Sequence, residues 1–538
     1  MSTSIAKFFV ATALVCVAVL LQTAAHAASS VTVNDDGDGD VADSLCTLRE
    51  AIIAANSEAS YHGCTLSSNG APTTIGFNIG GSGVHTINVG SRLPVITVPV
   101  VLDGLSQPGA NCTSWPPTLL IEISNPTNGQ YNGLSLNNGS GGSSIRGLVI
   151  NGFNNKQGVN YNFNAAINIY NSNGNYIECN FLGTDANGTT NKANLRGVDI
   201  NSASDNVIGS DGSAKAYFAR NLISGNRFGQ VNTRGDALSG NRISGNFIGT
   251  DVTGTLAMSG QDTAIGVDIS ANPGPASGNY VGWDGIGDPN LMRNIISGFT
   301  SSSYPAVTMA VGSTGNHVSG NYIGTDVSGT QAIPNFLGVS LGSNNSVHGN
   351  IIGNDGTQDP VSARNVISGN SFTGIDINGI NGTLDNAVIG NYIGMNATGT
   401  ATLANGNYGL SMDYGYANTL VARNWFAGQA TAIRFFGSSS FGGGSTASFI
   451  NNADGANTNL PALDSSDNCV LGTTGVLVFA QGATVPNPNL FAGNWWGAAT
   501  GPNTSGASTA PGSIDATPYL TAPATVCSDV IFRDGFEG

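Results

Sequence analysis

The stretch GNYIGTDVSGT, residues 320–330, recurs along this chain as GNFIGTDVTGT at 245–255, and in weaker forms as NFLGTDANGT at 180–189 and GNYIGMNATGT at 390–400. Val318 and Ile323 stand five residues apart around it, so one uninterrupted strand cannot turn both toward a core. A corner at Gly320-Asn321 removes the conflict, because Gly and Asn accept left-handed backbone angles at little cost. On this reading Ile323 enters the core, Asn321 turns the corner and stacks on equivalent Asn amides, and Gly324 permits a close approach. Asp326 closes an Asx-type turn. The last copy keeps Asn391 but carries Asn396 in place of Asp. The phrase therefore reads as an architectural corner rather than a row of acidic sites.

Working outward, two further phrases keep the same rhythm. Arg220, Arg293 and Arg364 each open an Arg-Asn-aliphatic-Ile-Ser-Gly run, and Gly197-Val-Asp-Ile200 returns at 266–269 and 374–377. A unit of about 70 residues then holds three apolar-bearing segments of about 23 each. Short Val/Ile/Leu strands between Gly-Asn corners, without a long helical pattern, predict an all-β fold: a right-handed parallel β-helix. At about 23 residues per coil, residues 75–500 would make roughly 18 coils and a rod of about 85 Å.

The remaining segments fall around that rod. Lys7, an apolar run from Phe8 to Leu21 and Ala25-His26-Ala27 form a signal-peptide pattern over 1–27, and no later stretch is long and apolar enough to span a bilayer. Residues 28–74 form an N-terminal cap, in which Thr47 and Glu50 make a capping box for a short helix over 48–56 with Leu48, Ala51, Ile52 and Ala55 on one face. Residues 501–538 form a closing segment and tail. Removal of Cys16 with the leader leaves six cysteines, an even number in an exported chain. Cys46 with Cys64 is the first pairing expected, and Cys469 with Cys527 would staple the C-terminal region. Cys112 with Cys179 follows by elimination.

The net charge of −16 and the absence of Lys/Arg clusters exclude nucleic acid as a partner. Asp36, Asp38 and Asp40 have the alternate spacing of a calcium-wrapping loop and are the candidate metal ligands, calcium being the candidate cofactor. Val41 stands where an EF-hand has Gly, so the loop is not an EF-hand. For carbohydrate chemistry the candidates are the outward Asp199, Asp268 and Asp376, with Ser340 in the intervening copy, and the periodic Arg220, Arg293 and Arg364. Whole-unit spacing, about 14 Å for the arginines on three coils per unit, suits a structural ladder better than a converging site. His317 and His348 read as turn residues. No catalytic residue is assigned.

Cys46-Thr-Leu-Arg-Glu-Ala-Ile52 resembles the CSLREA motif that opens a family of exported bacterial β-helix proteins, and 94–109 is similar to the segment that follows it there. The GNYIGTD and RNVISGN phrases match as well, so the resemblance covers most of 31–430. It implies a right-handed parallel β-helix and export, with no established reaction. Trp495 and Trp496 sit in a segment similar to a closing one in surface β-helix proteins. The expectation is a monomeric extracellular or cell-surface rod, non-catalytic, presenting a polar face to glycan, matrix or cells. The alternative is a pectate-lyase-like polysaccharide lyase or glycoside hydrolase acting on an acidic polysaccharide.

Overall fold

The computed structural model describes residues 29–436, apart from 69, 156–163, 262–263, 343–346, 355–358, 379–382, 414–415 and 418. Beyond them it describes the strands Cys469–Leu471, Val478–Gln481, Asn489–Leu490 and Ile514–Asp515. The signal-peptide pattern, Trp495, Trp496, the C-terminal tail and the Cys469–Cys527 pairing lie outside the described residues.

The chain coils through three long walls. Among the described residues the first sheet has 12 strands, the second 12 and the third 11, with a fourth of 6 at a corner. Neighbouring strands in the long walls are parallel and in register, for example Tyr280 with His317 and Tyr322 with Val366. This is a right-handed parallel β-helix. Aliphatic columns fill the interior, among them Ile208, Ile243, Val281 and Val318 in the first wall, and Ile223, Ile248, Ile296 and Ile323 in the second. Each full burial of this kind contributes about 1.5–3 kcal/mol. β-Branched side chains also suit short strands packed against like neighbours.

The coil is longer than the repeat suggested. Tyr176, Val207, Arg242, Tyr280 and His317 are register partners in the first wall, 31 to 38 residues apart. A 70-residue unit is therefore two coils, not three, and among the described residues the first wall has twelve rungs, where eighteen coils were expected over 75–500. At about 4.8 Å per rung the wall spans about 53 Å, not 85 Å. The miscount has a plain cause. The GNYIGTD and RNVISGN phrases mark the same second wall on alternate coils, as Tyr322 pairing with Ile295 and Val366 shows. The Gly-Val-Asp-Ile phrase marks the third wall. Walls had been counted as coils.

The corner reading holds in detail. Strand His317–Ser319 ends and Tyr322–Ile323 begins around Gly320, at φ +73°. Asn321 donates its Nδ2 to Asn365 Oδ1 at 3.0 Å and receives Asn294 Nδ2 at 2.9 Å. The same contact runs unbroken through Asn180, Asn221, Asn246, Asn294, Asn321, Asn365, Asn391 and Asn424. A second column joins Asn175, Asn206, Asn241, Asn279, Asn316, Asn350 and Asn386. A Cβ at Gly324 would lie 2.4 Å from Asn370 Oδ1, so no larger residue fits. His317 and His348, expected in turns, instead belong to short strands; His317 stacks on Tyr280 at 4.9 Å.

Helix Leu48–Ser57 covers the first rungs, with both halves of the Thr47–Glu50 capping box formed and Leu48, Ala51, Ile52 and Ala55 buried. Disulfides Cys46–Cys64 and Cys112–Cys179 form. Outside the second wall, Phe181, Leu222, Phe247 and Ile295 make a separate apolar layer, roofed by Trp115 and Val252. Among the described residues no helix is long and apolar enough to cross a membrane.

Candidate functional site

The acidic residue of the repeated phrase is occupied by its own loop. Asp326 Oδ1 accepts the backbone N–H groups of Thr330 and Gln331 at 3.0 and 3.1 Å, and Asp251 and Asp185 do the same in their copies. Asn396 accepts from Thr400 and Ala401 in the same way, so the amide oxygen suffices. These loops also bond to one another across the intervening coil, Val252 N to Gly188 O and Val327 N to Gly254 O. That contact gives the two-coil period its physical basis.

The three N-terminal aspartates go to different partners. Asp38 forms a bidentate ion pair with Arg49 at 2.8 Å and accepts Gly90 N–H. Asp36 lies 3.9 Å from His85. Asp40 meets Tyr61 and His62. The group that converges is Asp40, Glu50 and His62. Within it, Glu50 already accepts from Thr47 N, Val41 N and His62. Burial by itself would raise the Glu50 carboxyl, but these bonds hold it below its ordinary range. The trio fastens the cap.

The third wall carries the most concentrated outward chemistry. With Val198 and Ile200 turned into the core, Asp199 faces outward, as expected, and so do Asp268 and Asp376. Register aligns them in one row: Asn168, Asp199, Asn232, Asp268, Thr308, Ser340, Asp376, Ser411 and Arg434. Asp199 and Asp268 are two rungs apart, about 9–10 Å along the backbone. Arg234 grips Asp199 through Nε and Nη2 at 2.6–3.1 Å, and Asn168 adds a bond at 3.1 Å. A carboxylate so occupied is not the free partner that glycoside hydrolysis requires. Asp268 is different. Burial pushes its carboxyl up to about 6, against the lowering effect of Ser270, Asn232 and Arg196.

Beside the C-terminal part of the row runs a stack of half-buried rings. Phe336 and Phe372 stack at 4.9 Å and 12°, Tyr408 meets Phe372 edge-on at 5.7 Å, and Arg434 lies 4.8 Å over Tyr408. These rings were not among the residues expected from the sequence. Their signal was an aromatic one or two residues ahead of a third-wall glycine, as in Phe336-Leu-Gly338, Phe372-Thr-Gly374 and Tyr408-Gly409. Arg234 was overlooked too, since register and not a motif brings it to Asp199, whereas Arg196 stands only three residues before Asp199 on the same strand. The periodic arginines form the expected ladder, two rungs apart and so about 10 Å rather than 14 Å. Arg220, Arg293 and Arg364 each cover a ring of the next coil, Phe247, Tyr322 and Tyr392, at 4.1–4.5 Å.

No protein-family model and no curated protein matches the chain. Among solved structures it is similar to the A-module of the Azotobacter vinelandii mannuronan C-5 epimerase AlgE6, at 12% identity over 84% of this chain and 100% of that one, with a TM-score of 0.32. It is also similar to the periplasmic alginate epimerase AlgG, at 11% identity over 73% and 76%, with a TM-score of 0.27. The bacteriophage CBA120 tailspike protein 3 matches at 12% identity over 88% of this chain and 63% of its own, with a TM-score of 0.31. At such values no residue role or reaction rests on these likenesses.

Proposed function

We propose that this chain is an exported, monomeric rod that binds polysaccharide along the outer face of its third wall. The supporting observation is the ring stack Phe336–Phe372–Tyr408, half-buried on consecutive coils beside Ser340, Asp376 and Arg434. Half-exposed rings offer flat apolar faces to pyranose C–H groups, while the Ser340 hydroxyl and the Asp376 carboxylate in register bond the sugar's own hydroxyls. The row runs along the rod axis, the direction an extended polymer would take. Two disulfides and the signal-peptide pattern support export.

Retardation of the protein in gels containing neutral or acidic polysaccharides tests this reading. A retarding polymer should release Phe372→Ala and Tyr408→Ala, each by tenfold or more in affinity. Loss of neither would remove the stack from the site. A lyase or hydrolase reading draws on one observation, the raised Asp268 carboxyl beside Arg196. Release of new reducing ends by the native protein, abolished in Asp268→Asn, would establish that reading. The absence of release from a retained polymer would favour binding alone.

A further inference from the structure

A cavity of about 300 Å³ opens on the outside of the rod, far in sequence from the third-wall stack. It is lined by Thr113, Ser210, Ala216, Arg220, Asn290 and Leu291, among others. This volume exceeds what a bare ion needs and reaches the lower range of small-ligand sites. Its charge balance is unusual. Nearby cations have anions: Arg146 bonds Asp103, and Lys215, which also lines the cavity, bonds both Glu178 and Asp211. Among the described residues no carboxylate pairs with Arg220. Its Nε donates to Gly245 O at 3.1 Å, and its guanidinium lies 4.2 Å from the Phe247 ring and 5.3 Å from the Trp115 ring, two rings that meet edge-on. Trp115 is itself fixed, its Nε1 donating to Val252 O at 2.7 Å. Burial without a counter-charge lowers Arg220 to about 10, so it keeps its proton at neutral pH.

Arg220 belongs to the same ladder as Arg293 and Arg364, which explains its contact with the next coil's ring. The ladder does not explain the cavity. At Arg220 the loop over 210–219 and the short helix Pro289–Met292 wall off a space against the arginine. With Nε committed to Gly245, the two terminal nitrogens form a planar fork of the shape that accepts a carboxylate through two parallel bonds. Thr113, Ser210 and Asn290 bring hydroxyl and amide groups to the walls, and Ala216 and Leu291 bring small apolar surface.

We propose that this cavity binds a small hydroxylated carboxylic acid, such as a single uronic acid, with its carboxylate on Arg220 and its ring in the pocket. The site is separate from the third-wall stack and stands whether or not that stack binds polymer.

Calorimetric titration of the purified chain at fixed ionic strength tests the proposal, using D-galacturonate, its uncharged counterpart galactose, acetate and sulfate. Galacturonate should bind saturably, at least tenfold more tightly than the other three. Arg220→Gln should weaken it tenfold or more. Because Arg220 also packs on Phe247, Ala216→Trp serves as a second variant that fills the space and leaves the arginine in place; it should abolish binding as well. The proposal is overturned if no galacturonate binds the folded native chain, if acetate or sulfate binds as tightly, or if affinity survives within twofold in Ala216→Trp.

Discussion

Asn246 has no polar atom left over. Its Oδ1 accepts the N–H and Nδ2 of Asn221, while its Nδ2 donates to Ile208 O and Asn294 Oδ1. Replacing it with Ala would strand two buried donors on Asn221, and each such loss costs about 1–3 kcal/mol. Asn246→Ala should therefore lower stability by about 3 kcal/mol in denaturant titration. Asp326 makes the opposite prediction. Since Asn396 closes the equivalent loop, Asp326→Asn should change stability by less than about 0.5 kcal/mol, whereas Asp326→Ala should cost about 1–2 kcal/mol. At Asp268 the effect depends on pH. Its folded carboxyl titrates near 6, above the ordinary 3.8, so its stabilising share is present below about pH 4 and lost as pH rises through 6. Asp268→Asn should raise the melting temperature at pH 7.5, with a gain on the order of 2 kcal/mol, and converge with the native protein near pH 4.

Among elements, the N-terminal helix is the most local and was the most legible. Its capping box is written in four consecutive residues, and the expected 48–56 became Leu48–Ser57. Thr47→Ala should cost about 1 kcal/mol. Glu50→Ala should cost more, about 2–3 kcal/mol, because Thr47 N, Val41 N and His62 all lose their acceptor. This contribution fades as pH falls below about 4.5, the reverse of Asp268, since the Glu50 carboxyl is held low. Melting curves of both variants across pH 3–8 check the two signs. Corners were equally legible, because Gly320 states its left-handed backbone angle by its identity and Asn321 supplies the side-chain amide that stacks from coil to coil. Coil length was not. It depends on how far a loop wanders before the chain returns to the same wall, and loops here vary freely while registers do not. For the same reason Arg234 on Asp199, 35 residues away, could not be read from spacing.

The whole rod adds up rung by rung, each coil touching chiefly its neighbours. Because the period is two coils, removal of residues 251–325 joins Thr250 to Asp326 at equivalent points of the repeated phrase. Strand Phe247–Ile248 would then meet Val366–Ile367, apolar on apolar. That shortened chain should fold cooperatively with native-like circular dichroism, whereas excision of 23 residues from the same point should not yield a folded protein. The two asparagine columns carry a further consequence. Up to the last member of each column, every Nδ2 donates to the Asn Oδ1 of the following coil, so the side-chain amide dipoles add head to tail, as peptide dipoles do along an α-helix. At the N-terminal end the last oxygens are closed by the N–H groups of Leu148 and Ser143. The rod is thus an electrical vector buried in a neutral core. Its negative pole faces the capping helix, and its positive pole faces the later coils, where an approaching anion would find the more favourable field.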